Sequence, residues 1–251
     1  MTDIPIALQM YTLREQAAED FVGTVRRVAE IGYAGVEFAG YGGLSAAEMK
    51  ALLDELGLKP AGSHVSLQML ENELDSVIDY SLEIGNPYVV CSFLPPDRRQ
   101  DEASLRATAE SLNRIGAACK ERGLRFCYHN HAFEFQTFDG KYALDILYET
   151  TDPELVRAEV DTYWVQFAGL DPAELIWRHS ERVTLVHLKD MDPQDRSFAE
   201  VGEGVLDWEA IFAASEAAGA EWYIVEQDRC KRPPLESVRL SLDNLRAMGV
   251  A

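Results

Sequence analysis

The sequence has few basic residues for its length. Its 251 residues include 23 Lys and Arg against 43 Asp and Glu, which gives a formal net charge of −20 at pH 7. Proteins that hold nucleic-acid phosphates or anionic membrane surfaces use clustered Lys and Arg for the purpose. The charge therefore argues against a nucleic-acid-binding protein and against a membrane-surface protein.

Long apolar runs and cysteine motifs are also missing. No stretch approaches the roughly 18 apolar residues of a transmembrane helix, and the start, Met1-Thr-Asp-Ile-Pro5, lacks the basic and apolar regions of a signal peptide. No CxxC pair occurs among the four cysteines, which we expect to be reduced and mostly buried thiols: Cys91, Cys119, Cys127 and Cys230. The sequence predicts a cytoplasmic protein.

Short β-like runs alternate with helical patterns from one end of the chain to the other. Several are continuously apolar, which is typical of strands buried on both faces of a parallel sheet. The runs are Ile4–Met10, Gly35–Phe38, Pro60–His64, Tyr88–Ser92, Arg125–His129, Val156–Val160, Thr184–Leu188 and Trp222–Glu226. Because eight strand–helix units without a Pro-rich or Ser-rich linker suit one closed barrel, we expect a single (β/α)₈ TIM barrel domain over residues 1–251.

A doubly wound open sheet is the alternative fold, and it would normally use fewer strands. Its usual nucleotide-binding signature is missing, since no GxGxxG follows the first strand. The phosphate-loop pattern GxxxxGK[ST] does not occur either. The sequence therefore gives little support to nucleotide binding.

Polar side chains gather where the predicted strands end, which is where a TIM barrel places its active site. The candidates at these positions are Gln9, Glu37, His64, His129, His131, Glu134, Asp161, His187, Lys189 and Glu226. Carboxylates combined with imidazole form divalent-metal sites. We predict that the metal ligands are Glu134, Asp161, His187 and Glu226, with His129 or His131 as alternatives to Glu134.

Simpler interpretations exist for some of these residues. Asp161 could be the N-cap of the next helix. Lys189, which points to the same side of its strand as His187, is assigned to a substrate oxygen but could instead pair with Asp190 in solvent. The segment Val201-Gly-Glu-Gly-Val-Leu-Asp-Trp208 is interpreted as a tight connection in which Asp207 caps a helix, rather than as a phosphate loop.

Several segments resemble the sugar phosphate isomerase/epimerase family of the xylose-isomerase-like TIM barrel superfamily. They are Leu8–Arg14, Gly35–Glu37, Tyr128-His-Asn-His-Ala-Phe-Glu-Phe135, Val160–Thr162, His187-Leu-Lys-Asp190, Val201–Trp208 and Val225-Glu226. The resemblance extends over essentially the whole chain. It implies a Mn, Mg, Co or Zn cation on Glu134, Asp161, His187 and Glu226, and substrate contacts from His64, His129, His131 and Lys189.

The resemblance also implies a small sugar or sugar derivative as partner, and it leaves homo-oligomer formation open. Gln9 and Glu37 are further candidates for substrate contact. No Gly-rich phosphate cradle or Arg cluster occurs in the sequence. A non-phosphorylated sugar is therefore at least as good an expectation as a phosphorylated one.

A cation held by these residues would act as a Lewis acid and stabilise an enediolate after loss of the proton next to a carbonyl. Glu134 and Glu226 are the predicted bases, because a carboxylate bound through one oxygen can take a proton with the other. Bases on two faces would give epimerisation, and a single base would give isomerisation. If a neighbouring group can leave, the same intermediate leads to a lyase or dehydratase reaction, namely elimination from a 3-keto-glycoside or dehydration of an inosose, both of which the resemblance implies as alternatives. An abasic-site endonuclease and a non-catalytic sugar-binding barrel are less favoured, because the charge is acidic and the ligand set is intact.

Overall fold

The computed structural model describes residues 4–250. It contains the predicted closed parallel barrel, in which strand β1 pairs with β2 on one side and with β8 on the other. The barrel strands are β1 Ile6–Gln9, β2 Gly35–Phe38, β3 Lys59–Val65, β4 Tyr88–Cys91, β5 Arg125–His129, β6 Arg157–Asp161, β7 Val183–Leu188 and β8 Trp222–Val225. The predicted features of Met1–Asp3 lie outside the described residues.

Helices surround the barrel between the strands. They are α1 Arg14–Glu19, α2 Phe21–Ile31, α3 Ala46–Leu56, α4 Leu67–Asn72, α5 Leu74–Ile84, α6 Glu102–Glu121, α7 Ala143–Thr150, α8 Thr162–Phe167, α9 Pro172–Arg178, α10 Trp208–Ala218 and α11 Pro234–Ala247. Short 3₁₀ turns cover Met10–Leu13, Pro96–Arg98 and Ala132–Phe135, and two small hairpins pair Thr137–Phe138 with Lys141–Tyr142 and Asp190–Met191 with Phe198–Ala199.

Local sequence signals explain where several helices begin and end. The Ser45 hydroxyl accepts the Glu48 amide while the Glu48 carboxylate accepts the Ser45 amide, which forms a capping box at the start of α3. Gly57 follows the last residue of the same helix, and its φ of 68° lies in the left-handed region that favours glycine. Asp207 caps α10 as predicted, since it accepts the Ala210 amide.

The apolar core has two parts. The larger part lies between the barrel and the helices, and the smaller part fills the barrel interior with Ala7, Ala61, Tyr88, Val90, Cys127, Leu185, Trp222 and Ile224. All four cysteines are free thiols, and Cys230 alone is only partly buried. Among residues 4–250, no helix combines the length and the apolar character needed to cross a membrane.

Candidate active site

A polar cavity of about 340 Å³ opens at the carboxyl ends of the barrel strands. Its walls come from Tyr11, Ala39, His64, Ser92, His129, His131, Lys189, Glu226 and Asp228. Five of these residues were candidates from sequence alone: His64, His129, His131, Lys189 and Glu226. The alternation of side chains along a strand explains the convergence, because residues at the strand ends that point inward meet at one mouth.

Four side chains that could hold a metal ion lie together at this mouth, and two of them, His129 and Glu226, line the cavity. His129, Asp161, His187 and Glu226 come from four adjacent strands, and one potential ligand atom from each lies within 4.8 Å of the others. All four residues are buried. Three of them were predicted as ligands. The fourth is His129, which the sequence analysis gave with His131 as an alternative to Glu134.

Glu134 lies outside this group, so the structure does not bring the fourth predicted ligand to the others. The 3₁₀ turn Ala132–Phe135 directs its carboxylate back toward the chain, where Oε2 accepts the His131 amide at 2.8 Å. Oε1 accepts the hydroxyl of Tyr128, which packs in the core outside the barrel wall. Burial raises the pKa of Glu134 to about 8. A carboxylate held in this way supports the loop instead of facing the cavity.

A second group lies deeper in the barrel and contains a residue that the sequence analysis missed. His64, His129, Glu159 and His187 form this inner group, in which Glu159 Oε2 lies 2.6 Å from His64 Nε2 and 2.9 Å from His129 Nδ1. The same oxygen is 3.4 Å from His187 Nε2. One signal could have revealed Glu159: it is a carboxylate between Ala158 and Val160 inside the strand, two residues before Asp161 and hence on the same face.

Gln9 and Glu37 belong to this deeper layer and do not line the cavity, in contrast to their predicted role in substrate contact. Both are completely buried. Gln9 donates to Glu37 Oε2 at 2.6 Å, and that oxygen lies 2.8 Å from His187 Nε2. Gly62 leaves room for the carboxylate, because a Cβ there would collide with Glu37 Oε1. The two residues thus orient the ring of His187 from below.

The two histidines shared by both groups each present one nitrogen upward and one downward. His129 Nε2 lies 3.7 Å from Asp161 Oδ2, and His187 Nδ1 lies 3.0 Å from Glu226 Oε2. Their other nitrogens contact Glu159 and Glu37. Buried carboxylates of this kind fix the tautomer and the ring orientation of metal-binding histidines.

Lys189 carries the positive charge closest to the upper carboxylates. Its buried Nζ lies 2.7 Å from Glu226 Oε2, 2.9 Å from Asp161 Oδ2 and 2.8 Å from Asp228 Oδ1. The alternative of an exposed ion pair with Asp190 is wrong. Asp190 instead accepts the amides of Gly202, Gly204 and Leu206, which holds the loop after β7 as the predicted tight connection.

Asp161 performs the capping role considered for it and also belongs to the upper group. Its Oδ1 accepts the Trp164 amide at 3.0 Å at the start of α8, while Oδ2 is buried without a hydrogen bond of good geometry. Burial raises the pKa of Asp161 to about 6 and lowers the pKa of His129 to about 3. Burial opposes the charge on Glu226, but Lys189 and His187 hold its pKa well below the usual value.

Aromatic rings pack against His131, which lines the cavity. Phe133 stacks on His131 with ring centroids 5.2 Å apart. The Arg99 guanidinium lies 3.7 Å from the ring centroid of Phe133. The Lys189 ammonium is 5.7 Å from the ring of Trp164. Phe167 packs against Tyr163 and Trp164 and is 38% exposed.

Comparison with known proteins agrees with this architecture. The chain belongs to the xylose isomerase-like TIM barrel family, whose profile matches residues 25–248. A solved sugar phosphate isomerase/epimerase from Parabacteroides distasonis superposes with a TM-score of 0.85 at 25% sequence identity, covering 98% of this chain and 95% of that one.

Two relatives by sequence are inosose dehydratases. The protein from Geobacillus kaustophilus is 27% identical over 242 residues, which cover 80% of this chain and 78% of that relative. The protein from Geobacillus thermodenitrificans is 32% identical over 139 residues, covering 48% of this chain and 46% of that relative. This second alignment thus spans about half the length of either protein.

Proposed function

We propose that this chain is a divalent-metal-dependent enzyme that removes the proton next to the carbonyl of a keto-sugar or ketocyclitol. The observation that carries the proposal is the group His129, Asp161, His187 and Glu226 at the mouth of the barrel, where two of the four residues line a polar cavity. The cavity offers hydroxyl, imidazole, ammonium and carboxylate groups to a hydroxylated substrate. Such a set of convergent polar groups at the top of a TIM barrel is typical of an active site.

The residues at this position fit a metal ion. Two imidazoles and two carboxylates are a common donor set for Zn, Mn and Co. The buried Asp161 Oδ2 already faces a positive charge, since Lys189 Nζ lies 2.9 Å from it, and it is an oxygen suited to a cation. Burial also keeps His129 in the neutral form that binds metals. A divalent cation held by these residues would supply positive charge against the enediolate oxygens.

Glu226 is the residue best placed to take the proton. Its hydrogen bond and ion pairs within residues 4–250 involve Oε2, and the residue lines the cavity, so Oε1 is available to the substrate. Lys189, on the same wall, donates to the oxygen on which negative charge develops. His64 and His131 line the cavity and are suited to hydrogen-bond a substrate hydroxyl. His64 is the one suited to protonate it, because, against the effect of burial, the Glu37 and Glu159 carboxylates raise the pKa of His64, whereas burial lowers the pKa of His131 to about 2.

Elimination is the reaction that we favour after proton removal. The two-base epimerisation considered from sequence required Glu134 on the face opposite Glu226, and Glu134 is held by Tyr128 and the His131 amide. In an elimination, the pair of electrons from the C–H bond forms a C=C bond, and the neighbouring C–O bond breaks. The departing hydroxide or alkoxide then takes a proton from a cavity side chain. The similarity to inosose dehydratases supports this outcome.

One-base isomerisation is the second candidate. It needs the same proton removal and returns the proton to the adjacent carbon without loss of a group. The similarity to the Parabacteroides distasonis isomerase/epimerase supports it. The two reactions differ only in whether a hydroxyl or alkoxyl group leaves the substrate.

The test is solvent isotope exchange with the purified, metal-analysed protein. A panel of keto-sugars and inososes is incubated in ²H₂O, and substrate and product are analysed by mass spectrometry and NMR. Deuterium next to the carbonyl reports proton removal, and loss of water or of an alcohol reports elimination. A sugar isomer without loss of mass would favour the isomerase.

A metal-removal arm serves as the control for this experiment. EDTA treatment should abolish exchange, and Mn²⁺, Mg²⁺ or Co²⁺ should restore it. Unchanged exchange after verified metal removal would contradict the metal-dependent mechanism. Absence of exchange with every member of the panel in fully metallated protein would contradict the proposed chemistry.

A further inference from the structure

Lys189 shares two of its three carboxylate partners with the upper group, which is His129, Asp161, His187 and Glu226. Its Nζ lies 2.9 Å from Asp161 Oδ2 and 2.7 Å from Glu226 Oε2. The same two oxygens face the histidines, since His129 Nε2 is 3.7 Å from Asp161 Oδ2 and His187 Nδ1 is 3.0 Å from Glu226 Oε2. The ammonium therefore contacts the oxygens that would hold a cation in this group.

Asp228 is the third carboxylate beside Lys189, and it does not belong to the upper group. Its Oδ1 accepts a hydrogen bond from Lys189 Nζ at 2.8 Å. The Asp228 side chain lines the polar cavity and is 30% exposed, whereas the Lys189 side chain is 1% exposed. The sequence analysis gave Asp228 no role. The contact supplies the buried ammonium with a carboxylate that a cation in the upper group would leave free.

The backbone is anchored on both sides of this ion pair. The Lys189 amide donates to the buried Thr162 Oγ1 at 3.2 Å. Directly before Asp228, the buried Gln227 donates its amide to Thr12 Oγ1 at 3.0 Å. Because both attachment points are tied to neighbouring elements, the fold itself brings the two side chains together. The contact between Lys189 and Asp228 is therefore a built part of the cavity wall.

An ammonium and a divalent cation on the same two buried carboxylates would repel each other, because little water is present to screen them. A carboxylate that serves the ammonium alone offsets this repulsion. We infer that Asp228 is the positioning residue of Lys189. It keeps the ammonium at the cavity wall, and off the Asp161 and Glu226 oxygens, when those oxygens hold a cation. The inference rests on the proposed function, which assigns the cation to the upper group and Lys189 to a substrate oxygen.

A double-mutant cycle in metal affinity tests the inference without turnover. Co²⁺ is titrated into the metal-free full chain in competition with a chelating dye, for the native protein, Asp228→Asn, Lys189→Met and the double variant. Asp228→Asn should weaken Co²⁺ binding about tenfold, because the ammonium then keeps its contacts with Asp161 and Glu226. Lys189→Met should bind Co²⁺ more tightly than the native protein, since the competing charge is gone. In that background, Asp228→Asn should change the affinity about twofold or less.

Further measurements separate positioning from other roles. The Co²⁺ absorption spectrum at saturation should be the same in Asp228→Asn as in the native protein, and a changed spectrum would make Asp228 a ligand and overturn the inference. Asp228→Glu keeps the carboxylate and should recover most of the lost affinity. Asp54→Asn is the matched control, because it breaks an exposed ion pair with Lys50 on α3 and should leave Co²⁺ affinity unchanged. Lys189→Gln takes the place of Lys189→Met in the cycle if the methionine variant does not fold.

The outcomes also separate this inference from the proposed function. Equal losses of affinity from Asp228→Asn with and without Lys189 would mean that Asp228 acts on the metal directly, and native affinity in Asp228→Asn would mean that it does not act at all. Either result in a protein that exchanges substrate deuterium would overturn only the positioning role. The expected cycle in a protein that exchanges no substrate proton would support the positioning role and contradict the chemistry. A native protein that binds no Co²⁺ would contradict both.

Discussion

The lower and upper halves of the barrel interior use the same strands for opposite purposes. Apolar residues fill the lower half, and polar or charged residues two positions further along several of the same strands fill the upper half. The pairs are Ala7 with Gln9, Cys127 with His129, Leu185 with His187, and Ile224 with Glu226. Because side chains two apart in a strand share a face, a step of two residues separates the packed core from the candidate site.

The difference shows how the folded protein remains stable although its candidate site buries many ionisable groups. Buried ionisable groups destabilise a protein unless each finds a partner. In the upper half, the Glu159 carboxylate is hydrogen-bonded to His64 and His129. The Lys189 ammonium forms ion pairs with three carboxylates, those of Asp161, Glu226 and Asp228. The apolar lower half and the larger core around the barrel supply the stabilisation that offsets this cost. Substitutions in the two halves should therefore have different consequences.

The largest expected effect belongs to Glu226→Gln in the upper half. The variant keeps the shape and one coordinating oxygen but removes the basic oxygen. We expect turnover to fall about 10²- to 10⁴-fold, the usual contribution of a general base, while substantial metal binding remains. Steady-state kinetics with parallel metal analysis measures both quantities. Near-native turnover with metal bound would remove Glu226 from the mechanism.

Leu185→Ala tests the lower half of the strand that carries His187. Leu185 is completely buried in the barrel interior. The cavity left by its truncation should lower the free energy of unfolding by about 2–5 kcal/mol, with little change in kcat for the protein that remains folded. Urea titration measures the loss. The exposed Leu82→Ala serves as a control, and a comparable loss there would contradict the burial argument.

Glu159→Gln tests the support beneath the predicted ligands. The amide retains the shape but no longer provides a carboxylate oxygen for His129 Nδ1 and His64 Nε2. Loss of a carboxylate that orients a metal-binding histidine should weaken metal affinity about 10- to 100-fold. Competition with a chelating dye measures this affinity. Glu121→Gln, an exposed position on α6, should leave it unchanged, and a native affinity in the Glu159 variant would contradict the orienting role.

The sequence was sufficient to predict the barrel, because alternating apolar strands and capped helices are local patterns. It was also sufficient to predict that Asp161, His187 and Glu226 lie close together, since the carboxyl ends of the strands of a parallel barrel meet at one mouth. Glu134 lies apart from these three, because the 3₁₀ turn after β5 directs its carboxylate onto the His131 amide. A carboxylate three residues after a polar residue is also a capping pattern, and that interpretation was not considered for this segment.

The inner layer was harder to predict for a different reason. The pairing register shifts directly before Glu37 in the β2–β3 pair and directly before Glu159 in the β6–β7 pair. Such irregularities redirect a side chain relative to the neighbouring strand. They depend on contacts between strands distant in sequence, so composition and periodicity do not reveal them. Hence the sequence did not place Glu37 in the inner layer, and only the two-residue spacing between Glu159 and Asp161 pointed to Glu159. Both carboxylates contact the predicted metal-binding histidines from below.

Glu134→Gln is expected to have the smallest effect on turnover, which should remain close to native because the side chain lies outside the cavity.

The substitution should instead change how the free energy of unfolding depends on pH. Burial raises the pKa of Glu134 to about 8 from 4.5, so between these pH values the folded protein holds a proton that the unfolded chain has lost. This group therefore makes stability fall as pH rises through that window, by up to about 1.4 kcal/mol per pH unit. The glutamine variant lacks this contribution, and urea titrations from pH 5 to 8 should show a correspondingly weaker decline. A loss of turnover as large as that of Glu226→Gln would instead restore Glu134 to the mechanism and contradict its placement behind the barrel wall.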